Sequence, residues 1–265
     1  MRIISICPSN TELLAFLGAQ NMLVGIDDFS DWPAEITHLP RLGPDLSIRM
    51  DELEKLEPDL VLASLSVPGM EKNVEELKKR NIPYMILNPQ SLDDIGRDLL
   101  AVGEACGVDA LAAHSAYISA IDEIKARSAN AKSRPSLYWE WWPKPIFTPG
   151  RVNWLTEISE IAGAHNVFAD IDSANIQTDW QDVLHRDPDY ILLAWVGIMT
   201  DKVKPALVQK RSGYESMKAA GNIHIMKEEL YCRPSPRLIE GAIKLAKLLH
   251  PEEYESMEMP SFLIR

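Results

Sequence analysis

Three of the chain's seven tryptophans crowd into "YWEWWPKP", as Trp139, Trp141 and Trp142. Other aromatic and polar residues also stand just beyond hydrophobic runs. They are Phe29 and Trp32 in "DDFSDW", Ser64 and Leu65 after "DLVLA", and Glu229, Tyr231 and Arg233 in "EELYCR". Flat aromatic faces with a few polar groups suit a large, partly apolar ligand. Bond-making chemistry is harder to find. None of the six histidines, His38, His114, His165, His185, His224 and His250, has the spacing of a helical metal site. There is no glycine-rich phosphate loop and no nucleophile elbow. Cys7 in "CPSN" would need a basic partner to act as a nucleophile, and the sequence identifies none. The acidic pairs Asp27–Asp28 and Glu228–Glu229 read as caps and solvated loops rather than acid–base machinery. The residues therefore point to binding without catalysis and with no required cofactor.

The elements that must position these groups alternate. "RIISI", "MLVGID", "DLVLAS" and "IPYMIL" are short apolar runs, each followed by a helical stretch. Apolar rather than alternating strands mark a parallel sheet covered on both faces. Ser9 and Glu12 have capping-box spacing for the first helix. After a long helical region, "SLYWEW", "DYILLAWV" and "NIHIMK" restart the strand pattern, and "LEPDLVLA" resembles "RDPDYILLA". The second half is expected to hold helices over "VNWLTEISEIAG", "TDWQDVLHRDP" and most of "KPALVQKRSGYESMKAAG". A last helix has Ser235 as its cap. The expected fold is α/β, with two Rossmann-like lobes of parallel sheet joined by one long connecting helix. The boundaries are 1–106, 107–130 and 131–265, and the ligand cleft lies between the lobes. Strand ends are where ligands of such sheets bind. Alternation splits the tryptophan cluster: Leu137, Trp139 and Trp141 share one face, and Tyr138, Glu140 and Trp142 the other. Pro143 and Pro145 stop the strand, so Trp141 and Trp142 fall at its exit. Glu140 sits at the border without an assigned role.

The chain has 265 residues and a formal net charge of −12. That charge, with no basic stripe, excludes a nucleic-acid partner. No run reaches the roughly 18 apolar residues of a membrane span. The start "MRIISICPSN" lacks the order of a secretory signal, which places the chain as written in the cytosol. A trimmed leader would place it outside the membrane instead. The three cysteines, Cys7, Cys106 and Cys232, are scattered and read as reduced thiols.

"RIISICPSNTELLAFLG", "LVGIDDFSDWP", "LPRLG", "LEPDLVLAS", "EWWPKPIFTPG", "AGAHNVFAD" and "RPSPRL" stand in one order along nearly the whole chain. Together they resemble the cobalamin-binding members of the helical-backbone substrate-binding proteins of ABC importers. The resemblance implies a monomer that binds cobalamin or a related corrinoid for transport or intracellular handling, with an importer permease as partner. Phe29, Trp141, Glu229 and Arg233 match family positions that contact the corrin, whose rim of amides suits both a carboxylate and an arginine. Three family tryptophans are absent. Their places fall at Pro44 or Asp45, at Ser64 or Leu65, and near Asn175, with Trp180 close by. Trp142 and Trp32 are expected to substitute. Of the acidic residues that dock such proteins on a permease, Asp51 or Glu52 stands in the first lobe; Gln181 stands in the second, with Asp182 beside it. The alternatives are a carrier of a ferric siderophore or haem, and an enzyme acting on a tetrapyrrole through Cys7 or a carboxylate.

Overall fold

The computed structural model describes residues 1–263. These fall into two compact units. Met1–Ile118 and Pro234–Pro236 make the first, and Ser119–Arg233 and Arg237–Leu263 the second.

The first unit runs β1 (Ile3–Ser5), α1 (Pro8–Phe16), β2 (Leu23–Ile26), α2 (Met50–Lys55), β3 (Leu60–Ser64), α3 (Glu71–Lys79), β4 (Tyr84–Leu87) and α4 (Leu92–Cys106). Its strands form one parallel sheet in the order β2-β1-β3-β4. The central strands are the apolar ones: β1 is buried throughout and β3 from Val61 onward. Ile4, Ile6, Val61 and Ala63 pack with Leu42, Leu53 and Leu77 into one core. The chain leaves β1 in one direction along the sheet and returns past it to β3. The switch point, where such sheets bind ligands, is therefore at the carboxyl ends of β1 and β3. A long helix, α5 (Leu111–Ser128), follows α4, and the division between units falls after Ile118.

The second unit runs β5 (Ser136–Glu140), β6 (Trp142–Pro143), β7 (Ile146–Pro149), α6 (Trp154–Ile161), β8 (His165–Asn166), β9 (Asn175–Thr178) and α7 (Trp180–Arg186). It continues with β10 (Tyr190–Leu193), α8 (Ala206–Gln209), β11 (Ile223–Ile225), α9 (Glu228–Tyr231), α10 (Leu238–Leu249) and α11 (Pro251–Tyr254). A parallel sheet has the order β11-β10-β5-β8, which puts its switch point between β5 and β10. Tyr138, Phe168, Ile191, Leu193 and Trp195 pack in its core. Asp179 caps α7, its carboxylate accepting from the Gln181 and Asp182 amides.

Several local expectations are corrected. Helix α1 begins at Pro8, with Cys7 as an extended cap and no side-chain cap bond, so Ser9 and Glu12 form no capping box. Proline is well placed at that first helical position. Glu12 is buried and instead accepts from the Ser235 hydroxyl at 2.5 Å. Ser235 is accordingly not a cap; α10 starts at Leu238 after Arg237. The stretch from Lys204 to Gly221 holds only α8 and a short 3-10 turn. Gly213 and Gly221 take left-handed φ there, at 84° and 88°. A further antiparallel sheet, β6-β7-β9, was not anticipated.

Gly241 packs α10 closely against the α9 segment. A Cβ at that position would lie 2.4 Å from the Leu230 carbonyl oxygen and 3.1 Å from the Tyr231 ring. Backbone cannot move as a flexible side chain can. Gly241→Ala should therefore destabilise the protein by about 1–3 kcal/mol despite alanine's better helix propensity. The urea midpoint reads this directly, and an unchanged or higher midpoint would contradict it.

Candidate functional site

The first unit's strand ends carry a buried polar floor beneath exposed side chains. At the end of β1, the Cys7 thiol is buried and 3.3 Å from Ser9 Oγ. Burial pushes its pKa up to about 11, so it stays a neutral thiol at physiological pH and is a poor nucleophile. Asn10 donates its side-chain amide to the Ala63 carbonyl at 3.0 Å, tying α1 to β3. After β2, Asp27 is fully buried, and its Oδ2 accepts from the Phe29 and Ser30 amides at 2.7 and 3.1 Å. This turn projects Phe29 outward, 51% exposed. Trp32 is half-buried three residues on. Ser64 is buried, with its hydroxyl 2.9 Å from that of Ser66, while Leu65 turns outward. The floor is polar and internally bonded, and the outward residues are apolar.

The second unit's switch point is built around Glu140. Its carboxylate is 0% exposed and receives four hydrogen bonds. Arg211 makes two of them, at 2.5 Å to Oε2 and 3.1 Å to Oε1. Tyr138 donates its hydroxyl at 2.8 Å, and the Trp195 indole donates at 3.2 Å. Burial, and then the neighbouring carboxylate, hold the Tyr138 hydroxyl well above the usual phenol range. Arg211 also lies over the Trp180 ring, 4.9 Å from its centroid. Glu140 is thus the centre of a closed ion pair rather than a group that reaches a ligand. Sequence reasoning missed Arg211. The one available signal was that a carboxylate inside a buried parallel strand requires a cation.

The expected faces are present for Trp139 and Trp141 on one side and for Tyr138 and Glu140 on the other, whereas Trp142 belongs to β6 of the antiparallel sheet. Trp139 packs on Tyr231, with ring centroids 5.4 Å apart, and donates its indole N–H to Ser159 at 2.9 Å. Trp141 packs on Trp154 at 5.6 Å and is 8% exposed. Trp142 is 40% exposed at the start of β6. The Tyr231 hydroxyl donates to the Gly241 carbonyl at 2.9 Å, inside the core. Arg233 is buried and paired with Glu228 at 3.0 Å. Glu229 is half-buried, 3.7 Å from the Lys227 ammonium. Asn175 is exposed at the start of β9.

Asp51, in the first turn of α2, pairs with Arg80 at 2.6 Å and lines a surface depression with Arg49, Glu52 and Glu76. Gln181 is exposed in the first turn of α7, and Asp182 beside it is held by Arg186 and Thr178 at 3.0 Å each.

Residues 3–227 match the periplasmic binding protein family. The chain is 28% identical to the uncharacterized ABC transporter substrate-binding lipoprotein YvrC of Bacillus subtilis, covering 96% of this chain and 81% of that protein. It is 24% identical to the vitamin B12-binding protein of Vibrio parahaemolyticus, covering 97% and 90%. The structure of Staphylococcus aureus IsdE complexed with heme superposes with a TM-score of 0.81 at 18% identity, over 94% of this chain and 98% of that one. The expected two-unit α/β fold with parallel sheets is therefore shown. The cytosolic expectation finds no support in these relatives, one of which is a lipoprotein. Among the described residues, no helix is long and apolar enough to cross a membrane.

Proposed function

The chain belongs to the periplasmic binding protein family, and on that premise we propose that it is the non-catalytic substrate-binding component of an ABC importer. Its ligand is cobalamin or a related corrinoid. The observation that carries this reading is the character of the strand-end surfaces. Phe29 and Trp142 present broad aromatic faces, and two charged groups of the second unit's strand-end segments are compensated within that unit, Arg233 by Glu228 and Glu140 by Arg211. Such surfaces fit a large neutral-to-weakly charged macrocycle with an amide rim better than a polyanionic ferric chelate. Asp28 and Asp31 beside Phe29 also disfavour an anion.

Haem is the nearer competitor, and its iron takes an axial ligand from the protein. Tyr231, the tyrosine of the α9 strand-end segment, is buried with its hydroxyl committed to Gly241. Cobalamin carries its lower axial base with it and needs no such residue. Phe29, Trp32, Leu65, Trp142, Asn175 and Glu229 are the proposed contacts, with Ser64, Trp141, Tyr231 and Arg233 beneath them. Asp51 and the Gln181–Asp182 pair are the proposed permease contacts, and α5 is the proposed connector. The relatives favour work outside the cytoplasmic membrane.

Titration of the purified protein with cyanocobalamin should give saturable one-to-one binding by calorimetry, undiminished by equimolar haem. Binding of haem with no binding of cyano-, aquo- or adenosylcobalamin would overturn the ligand assignment while leaving the carrier role intact.

A further inference from the structure

Below Phe29, a chain of hydroxyl groups ends on a buried carboxylate. Ser5 donates to the Cys7 carbonyl at 3.0 Å, Thr11 lies 2.8 Å from Ser5, Ser30 lies 2.7 Å from Thr11, and Asp27 Oδ1 lies 2.5 Å from Ser30. All of these side chains are buried. They come from β1, from α1 and from the turn after β2, so the chain of contacts joins all three.

The protons can be counted. Leaving aside a longer contact of 3.4 Å from Thr11 to the Cys7 carbonyl, four oxygen–oxygen contacts of 3.0 Å or less run from that carbonyl to Asp27, and three hydroxyls supply three protons. With Asp27 ionised, Ser30 donates to the carboxylate, and one contact elsewhere in the chain has no hydrogen. Two buried oxygens then face each other at hydrogen-bond distance. With Asp27 protonated on Oδ1, every contact is filled in one direction: Asp27 to Ser30, Ser30 to Thr11, Thr11 to Ser5, Ser5 to the Cys7 carbonyl. Oδ2 accepts the Phe29 and Ser30 amides in either state.

We propose that Asp27 is a proton-carrying positioning residue: its proton completes the Ser5–Thr11–Ser30 chain and so sets how firmly the turn bearing Phe29 is anchored. The surroundings agree. Burial is the largest influence on Asp27 and pushes its pKa up to about 6, with the Asp45 carboxylate adding in the same direction. The neutral Cys7 thiol and Arg41 also lie against it, while Asp28, next in the chain, accepts from the Gly43 amide. The Arg41 guanidinium bonds the Asp27 and Ser30 backbone carbonyls rather than the carboxylate. The role given to Phe29 rests on the ligand reading above; the proton count does not.

The sign of the linkage follows from the raised value. The proton-dependent stability is complete below the ordinary aspartate pKa of about 3.9 and is lost as pH rises to about 6. Asp27→Asn mimics the protonated form, since its amide NH2 donates to Ser30 and its oxygen accepts from the two amides. Urea unfolding of wild type and Asp27→Asn should be compared from pH 4 to pH 7.5, so that all other titrations cancel. Relative to the variant, the wild-type unfolding constant should rise about tenfold per pH unit up to about pH 6 and then level off. Parallel curves throughout would overturn the proposal. Cyanocobalamin affinity tests the positioning: Asp27→Ala should lose at least about tenfold while Asp27→Asn holds. Equal affinities in those two variants would overturn it. A pH step without cyanocobalamin binding by any form would uphold the proton and remove the ligand reading alone.

Discussion

Glu140→Ala is expected to lower the unfolding free energy by about 3–5 kcal/mol, a large part of the roughly 5–15 kcal/mol that holds a domain together. The carboxylate is fully buried, and its loss strands three donors at once: Arg211, the Tyr138 hydroxyl and the Trp195 indole. The arginine matters most, because an uncompensated guanidinium cannot shed its charge by losing a proton. It would have to swing toward water, leaving the Trp180 ring and the turn that runs into Gly213. The pair itself adds little to net stability, since the cost of desolvating both charges offsets most of their attraction. A double replacement, Glu140→Gln with Arg211→Met, should therefore recover much of what Glu140→Ala loses. Urea unfolding followed by both tryptophan fluorescence and far-ultraviolet dichroism measures this. Two probes are needed because the two units can unfold separately. A loss below about 1 kcal/mol for Glu140→Ala would mean that the pair contributes neither stability nor strain.

The same ion pair marks the limit of what residue order reveals. The parallel strands were legible because strands buried on both faces are mostly apolar, as β3 is up to Ser64 and β10 is throughout. Their alternation with helices, and the Asp179 cap, follow from short-range rules. The partner of Glu140 lies 71 residues away, in a stretch whose lysines and arginines look like an ordinary solvated surface. Only the fold makes Arg211 exceptional. The antiparallel sheet was hidden for a different reason. Strand β6 is two residues long and ends on Pro143, so no local period announces it. The Ser235 misreading is of the same kind: its hydroxyl goes to a buried glutamate 223 residues earlier, and that long-range demand wins over a local cap. At the candidate site, alternation correctly placed Trp139 and Trp141 on one face and Tyr138 and Glu140 on the other. It could not tell how far the strand's exit carries each tryptophan from the core.

That distinction sets up the second large effect. Trp142→Ala should weaken corrinoid binding by at least about tenfold and leave the unfolding free energy within about 1 kcal/mol, whereas Trp141→Ala should cost about 3–5 kcal/mol of stability. Trp142 is 40% exposed, and its indole N–H is satisfied locally by the Lys144 carbonyl at 3.1 Å, so its ring can take a ligand face without new strain. Trp141 is 8% exposed, stacks near Trp154, and sits on a backbone bonded to both Phe147 and Val196. Its removal opens a cavity between β5 and α6. Its indole N–H is buried without a hydrogen-bond partner, so Trp141→Phe discards an unsatisfied donor and should be milder than other large changes at this position. Measuring Kd for cyanocobalamin and the urea midpoint on the same three variants separates the two roles. If Trp141→Phe, which keeps the packing, loses affinity as severely as Trp142→Ala, the ligand meets Trp141 itself. The exposed ring of Trp142 would then be a bystander.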